Sequence, residues 1–270
     1  MMYKLIALDM DGTLLTPQGQ ITPRTHAAIA AARAKGVTVV LTSGRPLEGM
    51  TSYLAELGLT GPDDYVICYN GALVQRVADQ HIIRSQLLTG RDASAIAHLA
   101  DELGVNVHGF SVRQGLISPK VSRYTEHESE LVDMPINLVD FATLPADERI
   151  MKVMMIDEEP LLSRAIAQLP AEPYERYTVV RSSPYFLEFM NKLSNKGTGV
   201  AALAEHLGIT ADEVIAVGDA GNDRHMIEYA GLGVAMGNAT DEIKQLAQHT
   251  TSRNDDEGVA KVIEQFVLNA

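Results

Sequence analysis

Two kinds of hydrophobic spacing alternate along this chain. LIAL at residues 5–8 and VTVVL at 37–41 are unbroken apolar runs of strand length; strands buried on both faces of a parallel sheet read this way. Between them, ITPRTHAAIAAARAKG reads as a helix, with Thr22 as N-cap, Pro23 at the first helical position, alanines and Ile29 in the body and Gly36 at the end. Strand, helix and strand in this order make a βαβ unit. A second helix is expected over Pro46 to Leu57, and YVICYNGALV supplies a strand pair around a turn at Asn70-Gly71.

From about residue 84 to 188 the pattern changes. Helix-like DASAIAHLADEL and EPLLSRAIAQL are set among strand-like VNVHGF, GLIS, IMKVMMI, RYTVV and YFLEF. Strands neighbour strands here, which predicts a separate α+β unit inserted into an α/β domain formed by residues 1–83 and 189–270. Linkers are expected near 80–84 and 188–192. The βαβ style then resumes with the helix KGTGVAALAEHLG, the strand VIAVGD, the strand GVAMGN and a final helix GVAKVIEQFVLN.

A chain of 270 residues that is 46% hydrophobic can bury a large core. Its net charge of -13 argues against a nucleic-acid or anionic-membrane partner, because either needs a basic face. A negatively charged small substrate would need local positive charge in its site. The single cysteine, Cys68, sits among apolar residues and reads as a buried structural thiol; no internal disulfide is possible. The apolar run before Asp9 is too short for a signal-peptide core, no segment reaches spanning length, and the expected location is cytoplasmic. The oligomeric state stays open between monomer and homodimer.

The chemistry gathers where strands end. KLIALDMDGTLL runs an apolar strand straight into Asp9 and Asp11, and VIAVGDAGND does the same with Asp219, Asn222 and Asp223. TSGR puts Ser43 and Gly44 at the end of a third strand. Open parallel sheets bind ligands at the carboxyl ends of their strands, so all three clusters fall on one edge. Carboxylates crowded there raise one another's proton affinity unless a cation neutralises them. An oxygen-only ligand set selects a hard cation, and Mg²⁺ suits carboxylates combined with phosphate oxygens. Lys196, in SNKGTG at a helix start, is the candidate cation for an anionic substrate; Lys192 is its rival four residues away.

These four stretches, DMDGT, TSGR, a lysine before a helix and GDAGND, resemble the ordered motifs of the haloacid dehalogenase (HAD) superfamily. The long insertion resembles the type IIB (C2B) cap of its Cof-like branch, and CYNGALV, KVMMID and NKGTGV are similar to stretches of its sugar phosphatases. The resemblance spans the whole chain and implies a doubly wound parallel-sheet core, an α+β cap that selects substrate, and a Mg²⁺-dependent phosphatase acting on small sugar phosphates. By the same resemblance Asp9 is the nucleophile that becomes an aspartyl phosphate, and Asp11 the general acid and then base. Mg²⁺ is held by Asp9, the Asp11 carbonyl and Asp219, with Asp223 orienting the site. Ser43, Gly44, Lys196, Asn222 and the Met10 N–H bind the phosphoryl oxygens.

Arg45, Asn70 and Gly71 are possible substrate contacts. Arg113, Lys120, Arg123, His127 and Arg181 in the insertion read first as surface residues, and His225 as a solvated helix residue. Alternatives are a hexose phosphomutase, which needs a bisphosphorylated sugar and releases little phosphate, or a phosphatase for flavin, pyridoxal or nucleotide phosphates. A phosphorylated receiver-like signalling domain also collects acids at strand ends, but such domains are shorter and carry no insertion.

Overall fold

A computed structural model describes residues 3–269. Its contacts divide into two compact units, one running up to Ser85 and again from Asn195 onward, the other Gln86–Ser194. The first unit is built on a sheet of eight strands ordered His249–Thr250, Leu232–Ala235, Val214–Gly218, Leu5–Asp9, Thr38–Thr42, Tyr65–Cys68, Leu73–Arg76 and Ile82–Ser85. The pairings through Tyr65–Cys68 are parallel, and the last two strands are antiparallel additions. This is the α/β fold expected from the unbroken apolar runs: Leu5, Ile6, Ala7 and Leu8 are wholly buried, as are Val214 to Val217.

The register explains the site's position. Asp9 lies opposite Thr42, and Leu8 opposite Val217, so the carboxyl ends of three adjacent strands stop at one level. The first helix forms as Pro23–Ala34 with Thr22 capping the Thr25 N–H, and Gly36 takes the left-handed turn that ends it. The region expected to be one helix over Pro46–Leu57 is instead a short 3₁₀ turn, Glu48–Met50, followed by a helix of six residues, Thr51–Glu56. Cys68 is buried, and its burial pushes the thiol well above its usual range.

The second unit carries a sheet ordered Tyr177–Ser183, Phe186–Asn191, Arg149–Ile156, Asn106–Ser111, Gly115–Ser118 and Asn137–Leu138, with Leu88–Thr89 also paired to Arg149–Ile156. Helices Gly90–Leu103 and Glu159–Gln168 bury Ile96, Ala100, Leu162 and Ala165 against Val107, Val153, Met155, Leu187 and Phe189. Lys152 is buried with its ammonium 3.6 Å from Glu128 and 3.4 Å from Glu188, and 5.1 Å from the centre of the Phe110 ring.

The crossings between the units fall a little later in the chain than the linkers expected near 80–84 and 188–192. Residues 80–84 run into the strand Ile82–Ser85, which pairs with Leu73–Arg76, and the boundary placed at 188 falls inside the strand Phe186–Asn191. No glycine or proline interrupts YFLEFMN, so nothing local stops that strand, and the chain crosses between units only at Ser85–Gln86 and Ser194–Asn195. Among the described residues no helix is long and apolar enough to cross a membrane.

Candidate active site

Asp9 is the last residue of its strand and only 5% exposed, whereas the Asp11 side chain two residues on is 61% exposed. The turn between them depends on Gly12, which sits at φ +84° against the Asp219 carboxylate; a β-carbon there would collide with it. Thr13 then donates its hydroxyl to Asp219 Oδ1 at 3.2 Å, tying the first loop to the one after Val214–Gly218. Met10 is buried, and its carbonyl accepts from the Thr13 and Leu15 N–H groups.

Lys196 is the first residue of helix Lys196–Leu207, which Asn195 caps by accepting from the Thr198 N–H at 2.9 Å. The side chain is fully buried and donates to Asp9 Oδ1 and, at 2.6 Å, to Asp223 Oδ1. Lys192, the rival, is exposed and donates instead to the Tyr174 carbonyl at 2.7 Å. The other oxygen of Asp223 accepts the backbone N–H groups of Asp219 and Ala220 at 2.9 and 3.0 Å, which folds GDAGND into a tight loop.

Asp9, Asp219 and Asp223 each offer a carboxylate oxygen within 4.8 Å of the others, an arrangement able to hold a metal ion. Sequence spacing left these acids without a neighbouring cation; the fold places one, Lys196, among them. Burial, and then the Asp223 charge, raise the Asp9 carboxyl well above the usual range despite Lys196. Burial and Asp223 raise Asp219 likewise. Burial alone would lower the Lys196 ammonium, but Asp223 and Asp9 outweigh it and raise it. One ammonium among three carboxylates leaves negative charge uncompensated, and a hard divalent cation with an all-oxygen ligand set fits that deficit.

A second group of residues converges beside the acids. Ser43 is buried, its hydroxyl accepting from the Arg45 N–H at 3.2 Å. Asn70 is buried in a left-handed conformation, φ 53° and ψ 39°; its N–H donates to the Ser43 carbonyl at 2.9 Å and its Oδ1 accepts from Asn222 Nδ2 at 3.1 Å. Gly71, at φ +92°, lets this turn lie against the Asn195 carbonyl at the start of the lysine helix. Asn70 and Gly71 therefore join three loops of the site. Arg45 forms a two-pronged ion pair with Asp11, Nε to Oδ2 at 3.1 Å and Nη2 to Oδ1 at 2.6 Å.

Several participants escaped the sequence reading. Asn238 donates to the Gly12 carbonyl at 2.8 Å, and Asn254 donates to the Leu15 carbonyl at 2.7 Å while its N–H reaches Asn238 Oδ1. These amides stitch the DMDGTLL loop from more than 200 residues away, and no local pattern marks them. Thr13 was visible within DMDGT and shows its role only once Asp219 is beside it. The Thr42 hydroxyl, at the end of the neighbouring strand, is buried without a hydrogen-bond partner. Within the Gln86–Ser194 unit Arg113 pairs with Glu148 at 3.0 Å, and Arg181 donates to Ser163 and the Pro184 carbonyl. His225 is exposed.

Comparison with known proteins gives a consistent answer. A sequence profile of haloacid dehalogenase-like hydrolases matches residues 6–263. The chain is 42% identical over 99% of its length, and 99% of the relative's, to a Bacillus subtilis protein named "Putative phosphatase YxeH". It is 30% identical, over 97% of both chains, to the 5-amino-6-(5-phospho-D-ribitylamino)uracil phosphatase YitU of the same organism. The solved structure of BT4131, described as a HAD subclass IIB sugar phosphatase, superposes with a TM-score of 0.80 at 25% identity, covering 97% of this chain and 98% of that one. With the acids of its first and last motifs gathered around Lys196 and with full-length relatives of this kind, the chain belongs to the haloacid dehalogenase-like hydrolases.

Proposed function

We propose that this protein is a Mg²⁺-dependent phosphatase that hydrolyses small sugar phosphates through an aspartyl phosphate on Asp9, with the Gln86–Ser194 unit selecting among substrates. The observation that carries this reading is the convergence of Asp9, Asp219 and Asp223 on a buried lysine at the carboxyl ends of parallel strands, next to Ser43 and Asn222.

The phosphoryl group is received by Ser43, the Gly44 and Met10 N–H groups, Asn222 and Lys196. An ammonium has three donors; two here reach Asp9 and Asp223, which leaves one for a phosphoryl oxygen. An Asp9 oxygen attacks phosphorus as the bond from phosphorus to the sugar oxygen breaks, and Asp11 gives its proton to that departing oxygen. Asp11 then takes a proton from the water that attacks phosphorus, and Asp9 is regenerated as inorganic phosphate leaves. Mg²⁺ would be held by Asp9, the Asp11 carbonyl and Asp219, and when bound it neutralises the charge of nucleophile and phosphate. Asp223 orients Asp219 and Lys196.

The sugar-phosphate reading draws support from two comparisons. BT4131 is described as a sugar phosphatase, and the compound in YitU's name carries its phosphate on a ribityl chain, a polyhydroxylated alkyl group. The test is phosphate release across phosphorylated sugars, sugar alcohols, flavin and pyridoxal phosphates and nucleotides, with Mg²⁺ and with chelator. Release from polyol phosphates that chelator abolishes is expected. Release confined to nucleotides would overturn the substrate class, and release that persists in chelator or in Asp9→Ala would overturn the mechanism. The same panel with a hexose bisphosphate added separates hydrolysis from mutase activity.

A further inference from the structure

We infer that Arg45 is a positioning residue for Asp11: it aims the Asp11 carboxyl at the leaving oxygen and affects the reaction through that group, not by binding the phosphate itself. This rests on the proposed role of Asp11 as the acid. The side chain of Asp11 is 61% exposed, so packing does little to fix its direction. Both of its oxygens accept from the Arg45 fork, at 3.1 and 2.6 Å. A bidentate guanidinium pair sets orientation as well as distance, which a lysine ammonium would not.

Arg45 is itself held at several points. Its N–H donates to Ser43 Oγ at 3.2 Å, its carbonyl accepts from the Tyr69 N–H at 3.1 Å, Nη1 donates to the Gly49 carbonyl at 3.3 Å, and the guanidinium carbon lies 5.7 Å from the Tyr53 ring centre. A fixed arm therefore grips an otherwise exposed carboxyl. As the phosphorus–oxygen bond to the leaving group breaks, its electron pair stays on the leaving oxygen and Asp11 gives that oxygen its proton, so the direction in which the fork holds the carboxyl decides how well the proton is delivered.

The test compares kcat/KM for the best alkyl phosphate substrate, whose alkoxide must be protonated to leave, with that for 4-nitrophenyl phosphate, whose phenolate leaves without a proton. In Arg45→Ala and Arg45→Lys the alkyl phosphate should lose about tenfold or more and the aryl phosphate less than about threefold, since proton donation matters only to the first. In an Asp11→Asn background Arg45→Ala should add no further loss for the alkyl phosphate. The aryl phosphate also reports that each variant is folded. Equal losses on both substrates that persist in Asp11→Asn would overturn the inference and make Arg45 a phosphate contact. A wild-type protein that releases phosphate from neither substrate would overturn the phosphatase reading, and the inference with it.

Discussion

At the residue scale, the site turns on a buried lysine held between two aspartates. Removing Lys196 leaves Asp9 and Asp223 buried without their shared cation, so Lys196→Ala should lower unfolding free energy by about 3 kcal/mol in urea titrations. In the proposed reaction the same variant should lose about a hundredfold or more in kcat, because Lys196 would supply preorganised positive charge to the phosphoryl group. A Lys196→Ala protein as stable as wild type would contradict the paired geometry. Asp219 offers a different readout. If the acid cluster holds Mg²⁺, adding the ion should raise the wild-type melting temperature by mass action, and should not raise that of Asp219→Ala. An equal rise in both proteins would move the ion elsewhere.

At the scale of single elements, one strand of the Gln86–Ser194 unit carries a pH signature. His108 is wholly buried, and burial, with Lys152 adding to it, lowers its pKa to about 3 from 6.5. In the unfolded chain the imidazole takes a proton near pH 6.5, whereas in the folded chain it resists protonation down to about pH 3. The stabilising contribution is therefore complete above pH 6.5 and lost as pH falls through that window, at up to about 1.4 kcal/mol per pH unit. Urea unfolding at pH 7 and pH 5 should show a smaller acid loss in His108→Leu than in wild type. Parallel pH profiles would mean that His108 is not held neutral. The elements differ in how readable they were. The first helix and the lysine helix have N-cap, body and glycine signals, and both formed where expected. Helix Arg123–Val132 was missed because RYTEHESELV is mostly polar and charged, and buries only Thr125, Glu128 and Val132. Strands Leu88–Thr89, Asn137–Leu138 and His249–Thr250 are too short for any periodicity to mark them, and exist because a longer neighbour offers a partner.

At the scale of the whole molecule, the sequence order of the motifs already implied that distant acids meet. Apolar runs that stop at Asp9, Thr42 and Gly218 belong to adjacent parallel strands, and that adjacency brings Asp219 to Asp9. What remained hidden was long-range and polar: Asn238 and Asn254 holding the first loop, and Arg45 reaching Asp11 from 34 residues away. Such bonds depend on where loops meet after folding, and their residue types occur in any turn. In the proposed reaction the phosphoryl group passes through a covalent bond to Asp9. That bond is trapped by mixing enzyme, Mg²⁺ and the best sugar phosphate substrate, quenching in acid within a single turnover, and locating the phosphoryl group by peptide mass spectrometry. The peptide that contains Asp9 should be transiently phosphorylated on the Asp9 side chain, the modification forming and decaying at rates consistent with phosphate release. Phosphate release with no phosphorylated Asp9, or with the group on another residue, would contradict it.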